Sequence, residues 1–240
     1  MSSRLWTPRA RFIRLALPKA LINTGMVLPS TFSNSKAFPP PGCFDMRSVI
    51  SAISRMGETD SLIRTSSLSS SNRVINSFSG SAKLGKSDWC ILESDESDGS
   101  FTKIPPTYSI VTNIDKEHLD YYKSLEVLKK NFINFIEKTP SFGKTFICLD
   151  DRNNRQVIKK ISNLNYNTYG TSKLSNFKIL NVLQKESYSK FDLKISLPGA
   201  KENFIKNIKI PLIGLHNIRN STAATAVAFS VGIPIKIIKT

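Results

Sequence analysis

The chain has 240 residues, 40% of them apolar and 22% charged, with a formal net charge of +16 at neutral pH. That size and apolar content support a real core, in one large domain or two small ones. No apolar run reaches the roughly eighteen residues of a membrane span, and lysines are scattered through the second half rather than gathered with aromatics. The composition therefore argues against a membrane or nucleic-acid partner and for a basic, solvated surface. The cysteines, Cys43, Cys90 and Cys148, are odd in number and widely spaced, which gives no zinc or disulfide framework and suits a reducing compartment.

Basic residues change identity along the chain. Eight of eleven arginines lie at or before Arg73, whereas of twenty-three lysines only Lys19 and Lys36 do. Residues 1–71 are accordingly read apart from residues 72–240. The first stretch, MSSRLWTPRARFIRLALPKALINTG, carries no acid; the first in the chain is Asp45. That composition suits a transit peptide or an unstructured, non-native leader. FPPPG at Phe38–Gly42 is a rigid break, and SSLSSSN at Ser66–Asn72 a flexible joint. The first 71 residues are expected to be irregular or disordered.

Beyond the joint the pattern is regular. GSAKLGKS, Gly80 to Ser87, fits the phosphate-loop template G-x-x-x-x-G-K-[ST]. Its context is wrong, because the next segment is a strand and no helix aims its N-terminus at the loop. DWCILES (Asp88–Ser94), YSIVTNI (Tyr108–Ile114) and TFICLDD (Thr145–Asp151) are predicted strands. Between the last two, SLEVLKKNFINFIEK places Leu125, Leu128, Phe132, Phe135 and Ile136 on one helical face. A further helix should run through Val157, Ile158 and Ile161. KILNVLQ, KFDLKISL and IKNIKIPLI are short strands separated by turns, and HNIRNSTAATAVAFSVG is an alanine-rich helix ending near Gly232. The expected fold is α/β: a mostly parallel sheet flanked by helices, with a small antiparallel appendage.

Chemistry gathers in ESDESDGSF (Glu93–Phe101) and TNIDKEHLDYY (Thr112–Tyr122). Glu93, Asp95, Glu96, Asp98 and Asp115 fall at the carboxyl ends of two predicted parallel strands, the edge where open α/β sheets bind ligands. Like charges repel, so a hard cation would explain the cluster; a solvated acidic loop with a surface histidine is the plainer alternative.

ESDESDGSF, VTNIDKEHLDYY and GLHNIRNSTAA (Gly214–Ala224), in that order, resemble the central domain of the Mur ligases of peptidoglycan synthesis. The D-E-S-D-G-S-F string resembles the members that join L-alanine to UDP-N-acetylmuramate. The resemblance covers Asn72 to Thr240 and implies a cytoplasmic, ATP-dependent ligase that uses Mg2+ and works through an acyl phosphate. It implies that Glu93 and His118 are catalytic and metal-binding residues, and that Asn217 and Asn220 lie at the nucleotide. Helix capping is the structural alternative for the two asparagines. The family's phosphate loop should precede ESDESDGSF; the chain there has SAISRMGETDSLIRTSS, Ser51–Ser67, without a glycine–lysine pair. The expectation is a truncated ligase, weak or inactive alone, or else a degraded or chimeric domain without catalysis.

Overall fold

The protein is described here by a computed structural model covering residues 11–16, 62–66, 82–83, 89–94, 96–103 and 105–239. The strands are β1 (Arg11–Ala16), β2 (Leu62–Ser66), β3 (Ala82–Lys83), β4 (Trp89–Ser94), β5 (Tyr108–Val111), β6 (Lys144–Cys148), β7 (Tyr166–Gly170), β8 (Phe177–Gln184), β9 (Ser189–Ile195) and β10 (Asn203–Ile210). The helices are α1 (Leu119–Tyr122), α2 (Leu125–Glu137), α3 (Arg152–Ile158), α4 (Leu215–Ser230) and α5 (Ile235–Ile238). Among the described residues the strands form one sheet in the order β10-β9-β8-β7-β6-β5-β1-β4-β2-β3. From β8 through β2 successive neighbours run parallel, whereas β8-β9-β10 and the β2–β3 pair are antiparallel. This is the expected α/β architecture with its antiparallel appendage.

Strand alternation sets the two cores. In β5 and β6, Ile110, Phe146 and Cys148 face one side, where α4 and α5 cover them. Val111 and Ile147 face the other side, under α2 and α3. Helix α4 presents Ile218, Ala223, Ala224, Ala226, Val227 and Ala228 to the sheet, and these small side chains allow a close approach. Helix α2 buries Leu128, Phe132, Phe135 and Ile136, as its apolar spacing predicts, and Ser124 caps it by accepting from the Val127 N–H at 3.3 Å.

Two stretches within residues 1–71 are strands, although that segment reads as irregular. RFIRLA and LIRTS are short and β-prone, and each completes the hydrogen bonding of a parallel neighbour: β1 lies between β4 and β5, and β2 pairs with β4. The rest of that segment, including FPPPG, lies outside the described residues. In GSAKLGKS, Ala82–Lys83 is a strand paired with β2, and the next described element is β4, again a strand. Leu62–Ser66, inside Ser51–Ser67, likewise forms β2.

Candidate functional site

The parallel strands end at one edge, and two features are built there. The first joins the two acidic motifs. Glu93 is the penultimate residue of β4, and its backbone pairs with Leu15, which in turn pairs with Ile110 of β5. With β1 between them, β4 and β5 are two strand spacings apart, about 9–10 Å, rather than adjacent. The gap is closed by loops. Residues 96–103 fold back through a short 3-10 turn at Ser100–Thr102, whose Phe101 is fully buried. Phe101 packs on Phe132 and Phe135 of α2, with ring centroids 4.9 and 5.3 Å away. Tyr122 of α1 donates its hydroxyl to the Glu96 carbonyl, and Tyr121 packs close over Gly99, which has φ +69. The DESDGSF loop and the HLDYY helix therefore interlock.

His118 precedes α1 with φ +56. Its Nε2 lies 3.7 Å from Glu96 Oε1 and 3.9 Å from Glu117 Oε2, and it is buried without a hydrogen-bond partner among the described residues. One ligand atom from each of the three side chains falls within 4.8 Å of the others. Two carboxylate oxygens and an imidazole nitrogen at this spacing suit a divalent cation, which would draw all three inward to normal ligand distances of roughly 2.0–2.5 Å. A buried nitrogen with no donor or acceptor to meet is what such an ion would satisfy. The sequence places His118 here but gives no role to Glu96 or Glu117, which reach the imidazole from two different loops.

The second feature is a cleft of about 390 Å³ at the carboxyl ends of β5, β6 and β7. Thr112, Asn113 and Asp115 line it from the loop after β5, Asp150 and Asp151 from the end of β6, and His216, Arg219 and Asn220 from α4, with Cys148 and Tyr169 at its base. Its walls are fixed by amides. The buried Asn154 side chain donates to the carbonyls of Thr112 (3.1 Å) and Cys148 (3.0 Å), and Asn153 donates to that of Ile114 (2.6 Å). Burial pushes the Cys148 thiol up to about 11 and holds the Tyr169 hydroxyl well above its usual range, so both are neutral. Of the two asparagines singled out in the sequence, Asn220 faces this cleft, whereas Asn217 is not among its lining residues and donates to the Ile213 carbonyl at 2.7 Å. The Glu93 and Asp95 side chains lie outside the described residues.

Asp151 caps α3 by accepting from the Asn154 N–H at 2.7 Å. Burial, with Asp115 adding repulsion, raises its carboxyl above the ordinary range despite that bond. A raised carboxyl stabilises the fold when protonated, and the gain is lost as pH rises through its folded value. Asp151→Asn imitates the protonated form and keeps a good cap. Its melting temperature at pH 7 is expected to match or exceed that of the parent chain, with the difference closing as pH falls toward about 4. A clear loss at pH 7 in a thermal melt would show that the charge itself is needed.

An α/β sheet with an acidic, imidazole-bearing corner beside a polar cleft at the carboxyl ends of its parallel strands has the layout in which open α/β domains bind ligands. The family model for the Mur ligase middle domain matches residues 50–228. The chain is 61% identical over 166 residues to a UDP-N-acetylmuramate–L-alanine ligase of Pelagibacter ubique, covering 69% of this chain and 36% of that protein. It is 38% identical over 167 residues to the protein of the same name in Bartonella quintana, covering 69% and 35%. Among solved structures, a UDP-N-acetylmuramate–alanine ligase of Thermotoga maritima superposes with a TM-score of 0.63 at 15% identity, over 97% of this chain and 44% of that one. A MurF ligase of Thermotoga maritima, solved in complex with ADP, superposes with a TM-score of 0.59 at 10% identity, over 97% and 50%. The chain belongs to the Mur ligase family, and it spans about a third of the length of the curated relatives it matches.

Proposed function

We propose that this chain is the nucleotide- and metal-binding domain of an ATP-dependent, cytoplasmic ligase of peptidoglycan precursor synthesis, which joins L-alanine to UDP-N-acetylmuramate. The observation that supports this most is the meeting of the first two motifs: the His118 imidazole faces Glu96, three residues beyond Glu93, at the sheet edge where Asn220 lines a cleft.

In this reaction the γ-phosphoryl group of ATP passes to the substrate's lactyl carboxylate, giving an acyl phosphate and ADP. The L-alanine amine attacks the acyl carbon, loses a proton, and phosphate departs as the amide forms. A bound Mg2+ supplies neutralisation of charge on the phosphoryl oxygens. Glu93 and His118 are assigned to hold that ion, with Glu96 and Glu117 completing the acidic surroundings of the imidazole. Asn220, and Asn217 after exchanging its bond to Ile213, are assigned to the nucleotide.

Calorimetric titration with ATP tests this reading. The expected result is saturable binding that strengthens when Mg2+ is added. Absent binding, or an affinity indifferent to Mg2+, would contradict it. A ligation assay with both substrates, read by mass spectrometry, is expected to give weak turnover or none, because Ser51–Ser67, where a glycine–lysine phosphate loop is expected, lacks that pair. A folded chain that shows neither Mg2+-dependent ATP binding nor ligation would select the second reading, a degraded or chimeric Mur-ligase-like domain without catalysis.

A further inference from the structure

Asp150 follows the end of β6, and its side chain is only 7% exposed. Its carboxylate accepts from the Thr171 N–H (2.9 and 3.1 Å to the two oxygens), the Thr171 hydroxyl (3.0 Å) and the Ser172 N–H (3.3 Å). Oδ2 also accepts from Nε of Arg219 at 2.7 Å. One buried carboxylate thus ties together the end of β6, the turn after β7 and the first half of α4.

Arg219 is held by its inner nitrogen. A purely structural pair would commonly present the guanidinium fork to both carboxylate oxygens, but here the Thr171 and Ser172 donors share them. Among the described residues, Nη1 and Nη2 of Arg219 make no hydrogen bond, and the side chain is 33% exposed on the cleft wall, one residue before Asn220. Its N–H groups are therefore fixed in place and available to a ligand.

We infer that Arg219, anchored by Asp150, contacts the nucleoside part of the bound nucleotide, its Nη groups donating to purine ring nitrogens or ribose oxygens. The inference rests on the nucleotide reading above. The charge of the cleft selects the nucleoside over the phosphates. Asp150 already neutralises Arg219, and Asp115 and Asp151 line the same cleft, so a triphosphate placed there would meet like charges. Neutral ring nitrogens and hydroxyls are acceptors that a paired guanidinium serves without that repulsion.

Calorimetry on the full chain with ATP and with AMP tests the assignment. Arg219→Gln is expected to weaken both ligands by the same factor, about tenfold. Unchanged affinity would overturn the inference, and a loss for ATP without one for AMP would overturn it in favour of a phosphate contact. Because Arg219→Gln leaves the buried Asp150 charge without its partner, the double variant Asp150→Asn/Arg219→Gln is measured beside it. The double variant is expected to regain melting temperature but not affinity; recovery of both would reduce Arg219 to a brace. A parent chain that binds neither ATP nor AMP overturns the nucleotide reading and the inference with it. Normal binding by the parent and by Arg219→Gln sinks the inference alone.

Discussion

Phe101→Ala is expected to cost about 3–5 kcal/mol of unfolding free energy in a denaturant titration. The ring is fully buried and meets Phe132 and Phe135 of α2 at 4.9 and 5.3 Å between centroids. Truncation removes its apolar transfer energy and leaves a hole between a short 3-10 turn and a helix that cannot easily close on it. The consequence reaches the site, because Phe101 sits in the 3-10 turn of the loop that presents Glu96 to His118. Phe101→Leu, which keeps most of the volume, should cost much less, on the order of 1.5 kcal/mol. A loss below about 1 kcal/mol for the alanine variant would mean that the loop is not anchored by this ring.

Gly170→Ala should be comparably severe. Gly170 ends β7 with φ +137, where an L side chain is strained by roughly 1–3 kcal/mol. An added Cβ would also stand 2.6 Å from Asp150 Oδ1 and 2.9 Å from its carboxyl carbon. The carboxylate would have to retreat from Thr171, Ser172 and Arg219, and disturbing a buried charge in this way carries a penalty of about 3–5 kcal/mol. The expected outcome in the same titration is a loss of 3 kcal/mol or more, on the order of the two terms together without full additivity. A variant of near-parental stability would show that Asp150 moves freely and does not hold the cleft.

The elements with strong periodicity were legible in the sequence. Helix α2 shows its face in Leu128, Phe132, Phe135 and Ile136, and β4, β5 and β6 are compact apolar runs. Strand β7 was not, because YNTYG is short and its buried positions include Asn167 and Thr168, whose polarity hides a strand. Thr168 is accommodated by Asn176, to which both its N–H (2.8 Å) and its hydroxyl (2.9 Å) donate. Nor did the sequence reveal that RFIRLA would separate β4 from β5, since the neighbour of a strand is decided by tertiary pairing rather than local pattern.

The site divides in the same way. The motifs marked the sheet edge, the two acidic loops and the helix that carries Asn220. They could not show that Glu96 of the first loop and Glu117 of the second would flank the imidazole together, because that meeting depends on tertiary packing of the two loops. They could not pair Asp150 with Arg219 across 69 positions either. Contacts of that kind leave no periodic trace.

The most direct measurement is Mg2+-dependent ATP affinity, by calorimetry, for the parent chain, Glu93→Gln, His118→Ala and the two combined. If both residues serve one metal ion, each single change removes most of the Mg2+ enhancement and the double variant loses little more, the signature of coupled sites. Independent, additive losses, or an enhancement that survives both substitutions, would contradict the shared site.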